Sequence, residues 1–376
     1  MTASLAEGRR TSWHRPTWWL ALRERLIASA GFQRWAAMFP LTRPVARRYA
    51  QRAFDLCAGF VYSQILAASL SSGILEALTK GPQTSQSLAN LARLRPERLD
   101  LLLHAGESLE LFERRGAEHW GLGPLGAALA ANPGALAMVR HHDLFYADLA
   151  DPMALLRERE SPTRLGAYWS YAKGGAAREV AEYSTLMAGS QPLVADEILE
   201  AWDFRQHRRV LDVGGGEGAF LARVAHTAPN LELALFDLPE VVMRARQALN
   251  TTIPSSKIHF FAGSFLADPL PDGADLVTLV RVAHDHEDAA VLALFKRIRA
   301  VLPTGGRLLV AEPMSGPANA GRMADAYLAF YLLAMGQGHP RTPARLCAML
   351  REAGFGGAQQ VPTRRPLLVS VVVATV

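Results

Sequence analysis

Cysteine is almost missing from this chain of 376 residues: Cys57 and Cys347 stand far apart, outside any CxxC or Cys/His spacing. That excludes a disulfide framework and disfavours a zinc site, and the expectation is a reducing, cytoplasmic setting with no metal. Long apolar runs are missing as well. No uninterrupted stretch reaches the ~18–20 apolar residues of a transmembrane helix, and the opening MTASLAEGRRTSWHRPTWWL has no signal-type apolar core. Acidic residues are scarce over 1–50, where nine Arg face only Glu7 and Glu24. Trp13, Trp18, Trp19 and Trp35 lie among those arginines, a pairing that suits a lipid headgroup layer; the plainer alternative is a solvated arm that packs on a dimer partner. Internal repeats and low-complexity tracts are absent.

What is present can build a large core. Half of the residues are hydrophobic and 20% are charged, which excludes global disorder, and the length exceeds the ~250–300 residues of one growing core, so two domains are expected. From Phe54 to about Leu129 the pattern is helical. An apolar-periodic segment over 60–79 ends at Gly81-Pro82, Thr84 or Ser85 caps a second helix, and Pro96 opens a third. The polar piece ERRGAEHWGLGPLG then reads as a hairpin, and helix, helix, helix and wing predict a winged-helix-like domain. Its third helix carries Glu97, Asp100, Glu107 and Glu110, an acidic face that repels phosphate, so nucleic acid is not an expected partner. Residues 136–205 read as helical, with Tyr168, Trp169 and Met187 as candidates for an elongated apolar substrate pocket. From Arg208 strands alternate with helices, which predicts an α/β, doubly wound, mainly parallel Rossmann-like sheet with its ligands off the carboxyl ends of the strands. The expected division is an arm 1–50, a winged-helix-like domain 51–135, a helical linker and pocket 136–205, and a cofactor-binding domain 206–376.

Two constellations carry chemistry. In Leu211-Asp212-Val213-Gly214-Gly215-Gly216-Glu217-Gly218, between a strand and a helix, glycines allow a sharp turn and close approach of a cofactor to the backbone. Asp237 ends the next strand, where a carboxylate can accept two ribose hydroxyls. Together they indicate an adenosine-containing cofactor and leave a dinucleotide and S-adenosylmethionine both open. The second is His284-Asp285-His286-Glu287-Asp288 after the fourth strand, with Glu312 at the end of the neighbouring one. A carboxylate beside one imidazole nitrogen fixes the tautomer and raises the basicity of the other, so His284 reads as a general base with Glu312 as its orienter. Acidic capping of the following helix is the plainer reading for Glu287 and Asp288.

The run LDVGGGEGAFLARVAHTAPNLELALFDLPEVV, the HDHED segment and the AEP strand resemble the class I S-adenosylmethionine-dependent O-methyltransferases, among them the plant caffeate and isoflavone enzymes. Within that family, FVYSQILAASL, GLGPLGAALAANPGALAMVRHHDLFYADLADP and GHPRTPARL are most similar to the bacterial enzymes of the demethylspheroidene (hydroxyneurosporene) type, which act in carotenoid synthesis. The resemblance covers roughly residue 50 onward. It implies S-adenosylmethionine as methyl donor, a winged-helix-like dimerisation domain, a homodimer, and His284 as base with Glu312 and Asp285 beside it. It places Asp212, Gly214, Gly216, Asp237, Leu238, Ser264, Phe265 and Arg281 at the cofactor. Plant relatives carry an acidic residue where Ser264 stands, a Trp where His286 stands and a second supporting Glu where Pro340 stands; Arg281 lies one position from the family's basic residue. The implied reaction is methylation of the tertiary 1-hydroxyl of an acyclic carotenoid. The alternatives are a phenol or chlorophyllide-ring methyltransferase and, outside enzymes, a winged-helix regulator.

Overall fold

A computed structural model describes residues 17–157, 162–168, 191–316 and 321–376. The chain divides into two compact units, Met1–Ala130 and Ala131–Val376.

The first unit opens with three helices, α1 (Thr17–Ala28), α2 (Ala30–Met38) and α3 (Arg43–Ser71). The arm expected over 1–50 is therefore helical from Thr17, and α3 runs through the boundary drawn at residue 50. By length and composition α3 also passes for a membrane span, because Ala, Ser and Gly between its larger apolar residues keep it apolar without any uninterrupted run. The segment expected as one helix over 60–79 is broken at Gly73, whose φ of +74° ends α3 and starts α4 (Ile74–Thr79). Thr84 accepts from the Ser87 N–H and caps α5 (Ser85–Ala92), and Pro96 opens α6 (Pro96–Ser108). β2 (Phe112–Arg115) and β3 (His119–Leu122) form the hairpin, and β1 (Gln83–Thr84) adds to its β3 edge. Ile74, Leu75, Leu88, Leu99, Leu103, Phe112 and Trp120 are buried here, so the three helices and the wing share one small core.

The second unit is built on seven strands in the order β6-β5-β4-β7-β8-β10-β9. β4 (Arg209–Val213) lies between β5 (Glu232–Asp237) and β7 (Leu276–Val280); β6 (Ile258–Ala262) and β8 (Arg307–Glu312) extend the parallel run on either side. β10 (Ser370–Thr375) enters antiparallel between β8 and β9 (Ala358–Val361), which is the closing hairpin pair the sequence predicts. Alternation sends Leu211, Val213, Val277 and Leu279 to one face, under the helices Asp288–Val301 and Pro343–Glu352. Val210, Leu276 and Val280 go to the other, under the helices Ala219–Thr227 and Pro239–Leu249 and residues 194–198. A sheet covered on both faces reads as near-continuous Val and Leu, as β7 (LVTLV) does. Because β4 is followed by β5 on one side and by β7 on the other, a crevice opens at their carboxyl ends, where both constellations lie.

Candidate active site

β4 ends at Val213, and the chain turns into the helix Ala219–Thr227 through Gly214, Gly216 and Gly218, with φ of +73°, +58° and +80°. A Cβ on Gly214 would come within 2.7 Å of Val282 Cγ2, whereas one on Gly216 would meet nothing within 4 Å. The loop is thus packed on the sheet side and open on the crevice side. Asp237, at the end of β5, accepts from the Gly216 N–H at 2.8 Å and from the Leu238 N–H at 2.7 Å. Burial pushes its carboxyl above the usual carboxylate range against those two donors. Asp212 is fully buried: one oxygen accepts from the Thr278 hydroxyl at 2.6 Å and the other, Oδ2, has no hydrogen-bond partner. Burial moves its carboxyl up to about 7, and the nearby Asp237 charge adds to the rise.

This donor set fits S-adenosylmethionine. Asp237 presents a carboxylate at a strand end, suited to a ribose diol, and the unpartnered Asp212 oxygen beside the glycine loop suits a ligand ammonium. Phe265 lies beside Gly214, where its Cε1 would be 3.6 Å from an added Cβ, and its ring meets His286 edge-on at 5.3 Å. The half-buried Ser264 is tied into its own turn: Oγ accepts from the Leu266 N–H at 3.3 Å, and its N–H donates to Asp268.

Past β7, Arg281 takes a left-handed φ of +59° while its N–H still donates to the Ala311 carbonyl. The kink throws residues 283–285 into a short 3-10 turn, which aims His284 back over the crevice. Two carboxylates flank the buried His284 ring: Glu312 Oε2 lies 3.4 Å from Nδ1, and Asp285 Oδ1 lies 3.2 Å from Nε2. Glu312 has no solvent exposure, and its Oε2 also accepts the His284 backbone N–H at 2.9 Å. Nδ1 is within ion-pair reach of that oxygen but off the hydrogen-bonding line, so neither Nδ1 nor Glu312 Oε1 completes a bond. Burial opposes the charged imidazole, but Asp285 and Glu312 outweigh it and hold His284 above its ordinary value; the Arg281 charge works in the other direction.

The residues that hold this turn are not apparent from the sequence. Arg341, with a fully buried side chain, donates to the Ala283 carbonyl at 2.8 Å, to the His286 carbonyl at 2.6 Å and to Asp288 Oδ1 at 2.6 Å. Gly338, at φ +76°, lies backbone to backbone on His284 and Asp285, leaving no room for a Cβ, and its N–H reaches Glu287. The signal was the GQGHPRT run just before the Thr342 cap, in which a left-handed glycine and an arginine stand together.

Of the three pocket candidates, Trp169 and Met187 lie outside the described residues. Tyr168 is described and packs against His141 with ring centroids 5.0 Å apart. Around it the helix Pro133–Leu149 meets residues 322–335 through two pairs that the sequence did not suggest: His141 Nε2 with the Tyr331 hydroxyl at 2.9 Å, and His142 Nε2 with the Tyr327 hydroxyl at 2.8 Å. Tyr327 sits in a π-helical turn, Arg322–Leu328. Burial drives His141 down to about 4 and Tyr327 well up, so these groups stay uncharged at neutral pH. The Arg281 charge acts on both Tyr327 and His284, so one guanidinium lies within electrostatic reach of the aromatic cluster and of the base.

Comparison with known proteins identifies the family. Residues 146–356 match an O-methyltransferase domain. The chain is 44% identical over 354 residues to the demethylspheroidene O-methyltransferase of Cereibacter sphaeroides, covering 93% of each chain. It is also 44% identical to that of Rhodobacter capsulatus, over 89% of this chain and 84% of the relative. Among solved structures, human N-acetylserotonin methyltransferase in complex with SAM superposes with a TM-score of 0.72 at 25% identity, covering 87% of this chain and 97% of that one. A methyltransferase of calicheamicin biosynthesis in its SAH-bound form gives 0.74 at 26%, covering 87% and 98%. With a matching domain over more than half of its length and relatives this similar along nearly all of it, the chain belongs to the S-adenosylmethionine-dependent O-methyltransferase family.

Proposed function

We propose that this protein transfers a methyl group from S-adenosylmethionine to the tertiary 1-hydroxyl of an acyclic carotenoid, forming a methoxy carotenoid. The observation that carries the reading is the 44% identity to demethylspheroidene O-methyltransferases along nearly the whole chain, the helical regions included. When bound, S-adenosylmethionine supplies an electrophilic methyl carbon on a sulfonium. Asp237, braced by the Gly216 and Leu238 N–H groups, would hold the ribose side, and Asp212 would take the ammonium. A tertiary alcohol is far less acidic than a phenol, so free alkoxide is negligible and the proton must leave as the methyl moves. His284 Nε2 accepts that proton. Glu312, facing Nδ1, and Asp285, facing Nε2, stabilise the resulting imidazolium, and Asp285 is also in place to orient the hydroxyl. Orientation supplies much of the rate, and the turn braced by Arg341 provides it. The His141–Tyr331 and His142–Tyr327 pairs near Tyr168 border the path of the apolar tail.

The wider assignment is proposed with it: a cytoplasmic homodimer with an arm over 1–50, a winged-helix-like domain 51–135, a helical pocket region 136–205 and a methyltransferase domain 206–376. Scarce cysteine supports the compartment, and the unburied α3 residues 53–68, which carry a single charged side chain, support the homodimer.

The test incubates wild type and His284→Ala with labelled S-adenosylmethionine and detergent-dispersed 1-hydroxy carotenoids, and follows the methoxy product by mass spectrometry. Wild type should give it and the variant about 10²–10⁴-fold less, the range a general base contributes. Methylation of a phenol or chlorophyllide instead, with none of the carotenoid, would overturn the substrate.

A further inference from the structure

α1, α2 and the first half of α3 present a physical problem. Across residues 17–68 only Ala36 is buried, and α1 buries nothing. Helices of 12 and 9 residues are marginal in water without a packed face, so something outside the described chain must cover them. The uncovered surface is large and apolar: Trp18 is 65% and Met38 72% exposed, with Trp19, Leu22, Leu26 and Trp35 exposed beside them. So many exposed large apolar side chains on so short a stretch mark an interaction site.

Charge decides what the partner is. Residues 17–52 hold seven arginines, Arg23, Arg25, Arg34, Arg43, Arg47, Arg48 and Arg52, and one acid, Glu24, which lies 3.9 Å from Arg23. A second copy meeting this surface about a two-fold axis would set arginine against arginine, a repulsive arrangement. Residues 53–71 differ: Asp55 is their only charged side chain, so this argument against self-association ends with the first half of α3. Tryptophan and arginine together on an apolar helical surface match a bilayer interface, with rings at headgroup depth and guanidinium groups on anionic lipid.

We propose that residues 17–52 form a docking surface for an anionic lipid bilayer, on which α1, α2 and the start of α3 lie in the plane of the headgroups. The surface belongs to the apolar acceptor proposed above as its means of delivery, and that is the only sense in which it rests on that reading. Its test contains neither cofactor nor acceptor, so the two fail separately.

The full-length protein is sedimented with phosphatidylcholine vesicles and with vesicles containing a quarter phosphatidylglycerol, at low and high salt. Binding to the anionic vesicles should be about tenfold or more tighter, weaken as salt rises, and raise the helix signal in circular dichroism. Trp18→Ser with Trp19→Ser should abolish the residual high-salt binding, and Arg23→Glu with Arg25→Glu and Arg34→Glu the anionic preference. Since all five side chains are exposed, these variants should keep the wild-type melting temperature. Equal binding to both vesicles, or none, overturns the proposal. So does a halved solution mass on light scattering in the Trp variant with vesicle binding unchanged, which would identify a second copy as the occupant.

Discussion

The helices of residues 17–68 and the seven-stranded sheet are made from similar proportions of apolar residues, yet the helices bury a single residue while the inner strands β4, β7, β8 and β10 are buried almost throughout. The sheet supplies its own partner: the inner strands pair on both sides, and their residues alternate between two packed faces. The helices have no such partner within the described chain, so their apolar residues serve an interface. Stability in this protein is therefore local, and a substitution should be felt very differently in the two regions.

The sharpest break should come at Arg341. Arg341→Met leaves the Ala283 and His286 carbonyls without their buried donor, each at a cost of about 1–3 kcal/mol, while Asp288 keeps Arg345 and His339. Chemical denaturation of the variant should show that loss. Arg341→Lys, which keeps the charge but not the fork, should recover part of the stability while kcat stays depressed. Equal kcat in wild type and Arg341→Lys would mean that the arginine supports the fold without positioning His284.

Next in size is Glu312→Gln. Wild-type kcat/KM should fall on the acid side above the ordinary imidazole value of about 6.5, because the base must be neutral and its carboxylate neighbours hold the proton on. Removing one of them lowers the His284 value, so the acid limb should move to lower pH while the plateau drops about 10²-fold. A limb that stays in place would sink the pairing of His284 with Glu312.

Asp212 gives an effect spread over several pH units in the protein without cofactor. Its folded carboxyl keeps a proton up to about 7, whereas the unfolded one releases it near 3.8, so the folded state carries the extra proton between those values. Stability should then fall as pH rises from about 4 to 7, by at most on the order of 1 kcal/mol per pH unit, and level off above. In Asp212→Asn that component should vanish. A bound ammonium offsets the cost of the charge, so added S-adenosylmethionine should flatten the wild-type curve.

How much of this was legible follows the same division. The sheet and both constellations were readable because strand period, glycine turn and acidic strand ends are local patterns, and because β7 and β8 are neighbours, which brings Glu312 to His284 from 28 residues away. Arg341 acts on carbonyls more than 50 residues earlier in the chain, and the His141–Tyr331 and His142–Tyr327 pairs span 190 and 185 residues. No local period encodes such contacts. In the outer region, arginine and tryptophan composition suggested an arm over 1–50 without its internal structure. That structure follows from Ala, Leu and Arg being strong helix formers, and α3 continues unbroken from Arg43 to Ser71.

The smallest expected effect is the one that separates the two regions most cleanly. Trp35→Ala removes a ring that stacks on Phe39 at 5.2 Å but stays half-exposed. Without lipid, the loss should stay within about 0.5 kcal/mol, as for surface positions generally. Phe295→Ala, in the core over the sheet, should cost about 3–5 kcal/mol. With anionic vesicles present the order should change: the Trp35 variant should lose binding, while any Phe295 variant that remains folded should bind as wild type does. If Trp35→Ala instead destabilised the lipid-free protein as strongly as Phe295→Ala, the outer helices would be packed in solution, and the contrast between a self-sufficient sheet and an interface-dependent helical surface would fail.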